Sequence, residues 1–147
     1  MSGSLRWSWR KLRLISRWQV HRLRPGAEDG DLIDAFNLAL ALERLALDDQ
    51  AEYWYRWVAE TGDAEAACNL GLLLARTKRS NKALKVLGTA AKQGDSDAAF
   101  IAGEVCEETG DRVGAREWYE LAARLGDADA AKWLKRNPPQ DKKPATG

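Results

Sequence analysis

AAKQGDSDAA (residues 90–99) returns thirty-two positions later as AARLGDADAA (122–131). At the centre of both stretches stands Gly-Asp. The same pair occurs four times, at Gly30-Asp31, Gly62-Asp63, Gly94-Asp95 and Gly126-Asp127, 32 residues apart each time. Gly-Asp reads as a complete turn. Glycine accepts the left-handed conformation that closes one helix. The aspartate carboxylate then accepts from the free N–H groups that open the next. An alanine follows each Asp by four residues: Ala35, Ala67, Ala99 and Ala131. Further columns share this frame: Leu38, Leu70, Ala102 and Leu134; Ala39, Gly71 and Gly103; Ala51, Ala83 and Ala115; Trp54, Val86 and Trp118; Tyr55, Leu87 and Tyr119; Ala59, Ala91 and Ala123.

Each 32-residue unit has room for two helices. In the second unit, helix A is expected over about 63–77 and helix B over about 80–92. The body is rich in Ala, Leu, Glu and Arg, which favour helix, and no stretch alternates like a strand. A single hairpin cannot bury its apolar face, whereas stacked hairpins share a continuous core. The expected fold is all-α, a right-handed superhelical solenoid of antiparallel helix hairpins. Residues 1–26 form a basic amphipathic N-terminal helix, placed over 4–24 and ending before Pro25-Gly26, and 27–136 form the repeat domain. Within that domain the pairs are 31–61, 63–93 and 95–125, followed by a capping helix at 127–136. Residues 137–147, NPPQDKKPATG, read as a disordered tail.

At these residues the chain resembles the tetratricopeptide (TPR) and Sel1-like repeat families over about 31–136. Leu70-Gly71 with Ala83, Leu87 and Ala90 is similar to the TPR spacing. AAKQGDSDAA, AARLGDADAA and AREWYELAA (115–123) are similar to Sel1 repeats. The chain lacks the longer Gly-rich loop of Sel1 between helices A and B, and each unit is two residues shorter than a TPR. The resemblance implies a non-enzymatic adaptor or assembly scaffold that binds another protein. Some TPR proteins grip a terminal carboxylate with Lys and Asn on helix A. Here the corresponding positions are mostly apolar, so that activity is not carried over.

By register, the groove of the helix-A faces is expected to hold Phe36, Asn37, Leu40, Asn69 and Leu72, then Phe100, Glu104, Glu107 and Glu108. An apolar groove with an acidic end suits a segment with a basic flank.

The net charge of +1 conceals an asymmetry. Residues 1–26 carry seven bases (Arg6, Arg10, Lys11, Arg13, Arg17, Arg22, Arg24) and no acid; the remaining 16 bases and 22 acids give −6. At 100° per residue, Leu5, Trp9, Leu12, Val20 and Leu23 share one face of the arm, and arginines flank it. Trp7, Leu14 and Trp18 form a second apolar line, with Lys11 near it. Four roles stay open: a cap on the first repeat, a binder of a partner protein, a membrane-surface helix, or a grip on nucleic acid. The arm residues expected to touch a partner or membrane are Trp7, Arg10, Lys11, Arg13, Leu14, Arg17 and Trp18.

Signs of catalysis are missing from the pattern. His21 is the single histidine, and Cys68 and Cys106 fall at apolar helix positions without CxxC spacing. No phosphate-binding glycine motif occurs. No cofactor, metal or small-molecule substrate is expected. The aromatic residues of the B helices, Tyr53, Trp54, Tyr55, Trp118 and Tyr119, read as core, with Trp57 as the exposed exception. Arginines interrupt the N-terminus where a secretory signal would be continuously apolar. A cytoplasmic location is therefore expected, with peripheral membrane association open.

Overall fold

The computed structural model describes residues 3–139, with side chains from Lys11 onward. Eight helices and no strand occur among the described residues: α1 (Gly3–Glu28), α2 (Leu32–Arg44), α3 (Asp48–Ala59), α4 (Ala64–Arg76), α5 (Ser80–Lys92), α6 (Ser96–Thr109), α7 (Arg112–Arg124) and α8 (Ala128–Arg136). The chain divides into two compact units, Met1–Val86 and Leu87–Gly147, with the division inside α5.

The Gly-Asp turn works as its chemistry predicts. Asp31, Asp63, Asp95 and Asp127 each cap a helix, and each side chain accepts from the backbone N–H three residues on, in Asp34, Ala66, Ala98 and Ala130. The preceding Gly30, Gly62, Gly94 and Gly126 have φ of 96°, 93°, 100° and 102°. A side chain there would be strained.

A second punctuation, between helices A and B, has the same period. Its left-handed residue is Ala46 (φ 58°), Lys78 (φ 62°) and Gly110 (φ 80°). Around it the backbone closes the same pair of bonds each time. In the first unit Leu47 N–H reaches Leu42 O and Ala46 N–H reaches Glu43 O; Arg79 to Leu74 with Lys78 to Ala75, and Asp111 to Cys106 with Gly110 to Glu107, repeat it. This pairing satisfies carbonyls that a helix end leaves free.

In the unit Met1–Val86 the core is built on Leu38, Leu42, Tyr55, Val58, Leu70, Leu73 and Leu74, all buried. Alanines 35, 39, 51 and 67 let the helices cross closely. Ion pairs edge this core. Glu52 takes Arg56 and Arg79, both at 2.6 Å. Burial alone would raise the Glu52 carboxyl, but the two guanidiniums outweigh it and hold the group below its ordinary range. Arg76 bridges Glu43 at 3.2 Å and Asp48 at 3.0 Å.

Helix α1 packs along α2 and is tied to α3 by Arg24 Nη2 donating to Gln50 Oε1 at 3.3 Å. It does not end before Pro25-Gly26, as expected, but runs through both to Glu28. Pro25 gives up its own bond to the carbonyl of residue 21 and crowds it, a cost the helix bears one turn from its end. The face that packs is centred on Ser16 and Ala27, both 2% exposed, with Val20 and Leu23 half-buried. Leu12, expected on the buried face, is instead 51% exposed. Length explains it. The 26 residues of α1 span about 39 Å and the 13 of α2 about 20 Å, so α1 overshoots its support. The last thirteen residues of α1, 16–28, match the length of α2.

In the unit Leu87–Gly147, α6 and α7 close on Ala98, Ala99, Ala102, Val105, Cys106, Ala115, Tyr119 and Ala122. A Cβ at Gly103 would stand 2.7 Å from the Tyr119 ring, so the missing side chain sets how closely these two helices approach. The end of α8 is held by Arg116 donating to the Asn137 carbonyl at 2.7 Å. Asn137 is thus anchored, and residues 140–147 of the expected tail lie outside the described residues.

Candidate binding surfaces

Two hairpins share a polar device that the column alignment only half reveals. Tyr55 donates its hydroxyl to Glu43 Oε2 at 2.8 Å, and Tyr119 donates to Glu107 Oε2 at 2.6 Å. Both pairs stand 64 residues apart. Phe36 lies edge-on to Tyr55 (centroids 5.9 Å), and Phe100 lies against Tyr119 (5.3 Å). In the hairpin between them the corresponding residues are Cys68, Ala75 and Leu87, with no ring and no carboxylate. Burial, then the carboxylate partner, pushes both phenols well above their ordinary range. The signal was present in the sequence as two columns that change together, Glu/Ala/Glu at 43, 75 and 107 against Tyr/Leu/Tyr at 55, 87 and 119.

On the helix-A faces of the first unit, Asn37 is exposed and Phe36 and Leu40 are half-buried on α2; on α4, Asn69 is half-buried and Leu72 is 46% exposed. Leu72 is therefore the apolar side chain of this set most open to a partner. In the second unit, Phe100 is half-buried while Glu104, Glu107 and Glu108 are exposed on α6. Glu107 is engaged twice, since Trp133 Nε1–H also donates to its Oε1 at 3.1 Å. The Trp133 ring stacks on Tyr119 at 4.3 Å. Glu104 and Glu108 are left as the open acidic pair. Partial burial, then the charges of Glu107 and Glu108, raise the Glu104 carboxyl above its ordinary range.

On α3, Trp54 is buried with Tyr53 and Trp57 packed edge-on to it at 5.0 and 6.0 Å. The residue expected to be most exposed, Trp57, is half-buried, and the open ring is Tyr53 at 63%. The column of Tyr53 continues as Lys85 and Glu117, a polar row that marks a solvent-facing position.

On α1, Lys11, Arg13, Leu14, Arg17 and Trp18 are all exposed; the side chains of Trp7 and Arg10 lie outside the described residues. The Arg22 guanidinium stands 5.5 Å over the Trp18 ring. Arg13, Leu14 and Arg17 line one wall of an open cleft of about 620 Å³, with Leu45 and Leu47 from the α2–α3 turn opposite.

His21 is exposed on α1, and Cys68 and Cys106 are buried. Burial, then Asp111 and Glu117, pushes the Cys106 thiol up, the reverse of what a reactive thiolate needs. Among the described residues no helix is long and apolar enough to cross a membrane.

No family model matches the chain, and no curated protein does. A solved structure, the Sel1 repeat protein from Oxalobacter formigenes, is similar over 80% of this chain, at 26% identity and a TM-score of 0.59. The chain spans about half the length of that protein, 53% of it. The likeness agrees with the Sel1-like resemblance of the Gly-Asp stretches and with an all-α helical repeat of the solenoid class.

Proposed function

We propose that this protein is a non-enzymatic adaptor or scaffold that binds another protein through its helix-A faces. The observation that carries the reading is the division of labour in each hairpin. Buried Ala, Leu and Tyr hold the helices together, and Asn37 and Leu72 on one unit, Glu104 and Glu108 on the other, are left open. These open side chains make no hydrogen bond or ion pair among the described residues. The Glu104–Glu108 pair is poised for a cation. Its like charges sit one helical turn apart, and a basic partner side chain would relieve the repulsion that adds to partial burial in raising Glu104. Leu72 supplies an apolar anchor. The Sel1-like fold supports the same reading.

The test is affinity capture from native extract with nuclease and mild detergent present, then reconstitution with the purified partner. Leu72→Glu and Glu104→Lys/Glu108→Lys should each weaken the complex on the order of tenfold or more while leaving helicity unchanged. If neither does, the helix-A faces are not the binding surface.

A further inference from the structure

We propose that the outward line of α1 docks this protein on an anionic lipid surface, with the helix lying flat at headgroup level. The docking is independent of the helix-A faces. Helix α1 has two apolar faces and uses one. Ser16 and Ala27, each 2% exposed, turn toward α2. On the far side Leu14 is 66% and Trp18 59% exposed, about 40° apart around the axis. Cations line both edges of that row. Lys11 and Arg22 flank Trp18 on one side, and Arg17 flanks Leu14 on the other. Lys11, Arg13 and Arg17 have no carboxylate partner among the described residues.

A row of Trp and Leu between two rows of long cationic side chains fits the boundary of an anionic bilayer. The rings enter the acyl edge, and the ammonium and guanidinium groups spread to phosphates on both sides. An acidic protein would need two parallel acidic walls around an apolar slot to match the same pattern. The 620 Å³ cleft adds to the fit, because it gathers the cations Arg13 and Arg17 with the apolar Leu14, Leu45 and Leu47 at one edge of this row. Charge distribution orients the contact. Residues 1–26 carry seven bases and no acid, while the rest of the chain is net −6 and is repelled by an anionic surface.

Flotation of the full chain with vesicles tests this, using phosphatidylcholine alone and phosphatidylcholine with phosphatidylserine. Binding to the phosphatidylserine vesicles alone is expected, weakening with salt. Arg13→Gln and Arg17→Gln should each reduce partition about fivefold. Leu14→Ser/Trp18→Ser should reduce it on the order of tenfold or more, with unchanged far-ultraviolet circular dichroism. Ile33→Ser, which removes an exposed apolar side chain from α2, should leave partition as it was. No flotation with anionic vesicles at low salt would overturn the proposal. So would flotation that survives Leu14→Ser/Trp18→Ser, because the attraction is then charge alone and the face is better matched to an acidic protein.

Discussion

Removing one oxygen, in Tyr55→Phe, tests whether the Tyr–Glu bond holds the first hairpin. The ring is fully buried and the hydroxyl reaches Glu43 at 2.8 Å. A hydrogen bond to a charged acceptor is worth roughly 1.5–3 kcal/mol. The Glu43 side chain is 31% exposed and keeps Arg76 at 3.2 Å, so its released oxygen regains water. The loss should therefore sit near the low end, about 1.5 kcal/mol. Glu43→Ala is a worse injury, because it strands a buried hydroxyl with no partner, and about 2.5 kcal/mol is expected. Arg76 adds little to that figure, since it retains Asp48. The double variant should lose only about 2.5 kcal/mol rather than about 4, which leaves a coupling of about 1.5 kcal/mol. Urea unfolding followed by circular dichroism at matched protein concentration reads all four corners of the cycle. Additive losses, with coupling below about 0.3 kcal/mol, would refute the assignment of this bond as the hairpin's polar lock.

Four further outcomes are expected. Ala46→Gly and Lys78→Gly should each stabilise the chain by about 0.5–1 kcal/mol, because a left-handed residue with a Cβ is strained; thermal melting checks this, and Gly110→Ala should move the opposite way. Asp63→Ala should cost about 1 kcal/mol through the lost cap to Ala66 N–H, and a melting temperature no lower than the parent's would contradict the cap. Gly103→Val should destabilise by about 1–3 kcal/mol, since its branches would enter the Tyr119 ring, and Phe100–Tyr119 packing should loosen in near-ultraviolet circular dichroism. Tyr55 and Tyr119 have folded-state values above the unfolded value near 10. Their contribution is complete below about pH 10 and falls above it by about 1.4 kcal/mol per pH unit for each. Tyrosinate absorbance from these two should accordingly rise together with unfolding, and a rise while circular dichroism stays native would show them to be open.

The Gly-Asp turns were legible in the sequence because each residue type answers a local backbone demand. For the turn after each A helix, the left-handed residue was not. Ala46 and Lys78 take the same left-handed conformation as Gly110 without the glycine that would announce it, held there by the helix on each side. Leu12 was misplaced for a different reason. The helical wheel shows which side of α1 is apolar, but not that α2 stops beneath residue 16. Tyr53 and Trp57 exchanged roles because aromatic character alone does not state burial, and the polar column through Lys85 and Glu117 was the better guide. The Tyr–Glu bonds join residues 12 apart on different helices, a separation that leaves no helical periodicity to read.

That alternation of hairpins has a consequence for how the chain avoids errors. Near-identical repeats invite mispairing, in which a helix accepts the partner meant for its neighbour. The first and third hairpins join tyrosine to glutamate, and in sequence the repeat between them has Leu87 and Ala75 at those two columns. A slip by one repeat would set a phenol against a methyl group and leave a buried hydroxyl without an acceptor. The two kinds of repeat thus differ in a way that penalises a chain assembled out of register, because the mistake leaves an unsatisfied phenol in the core.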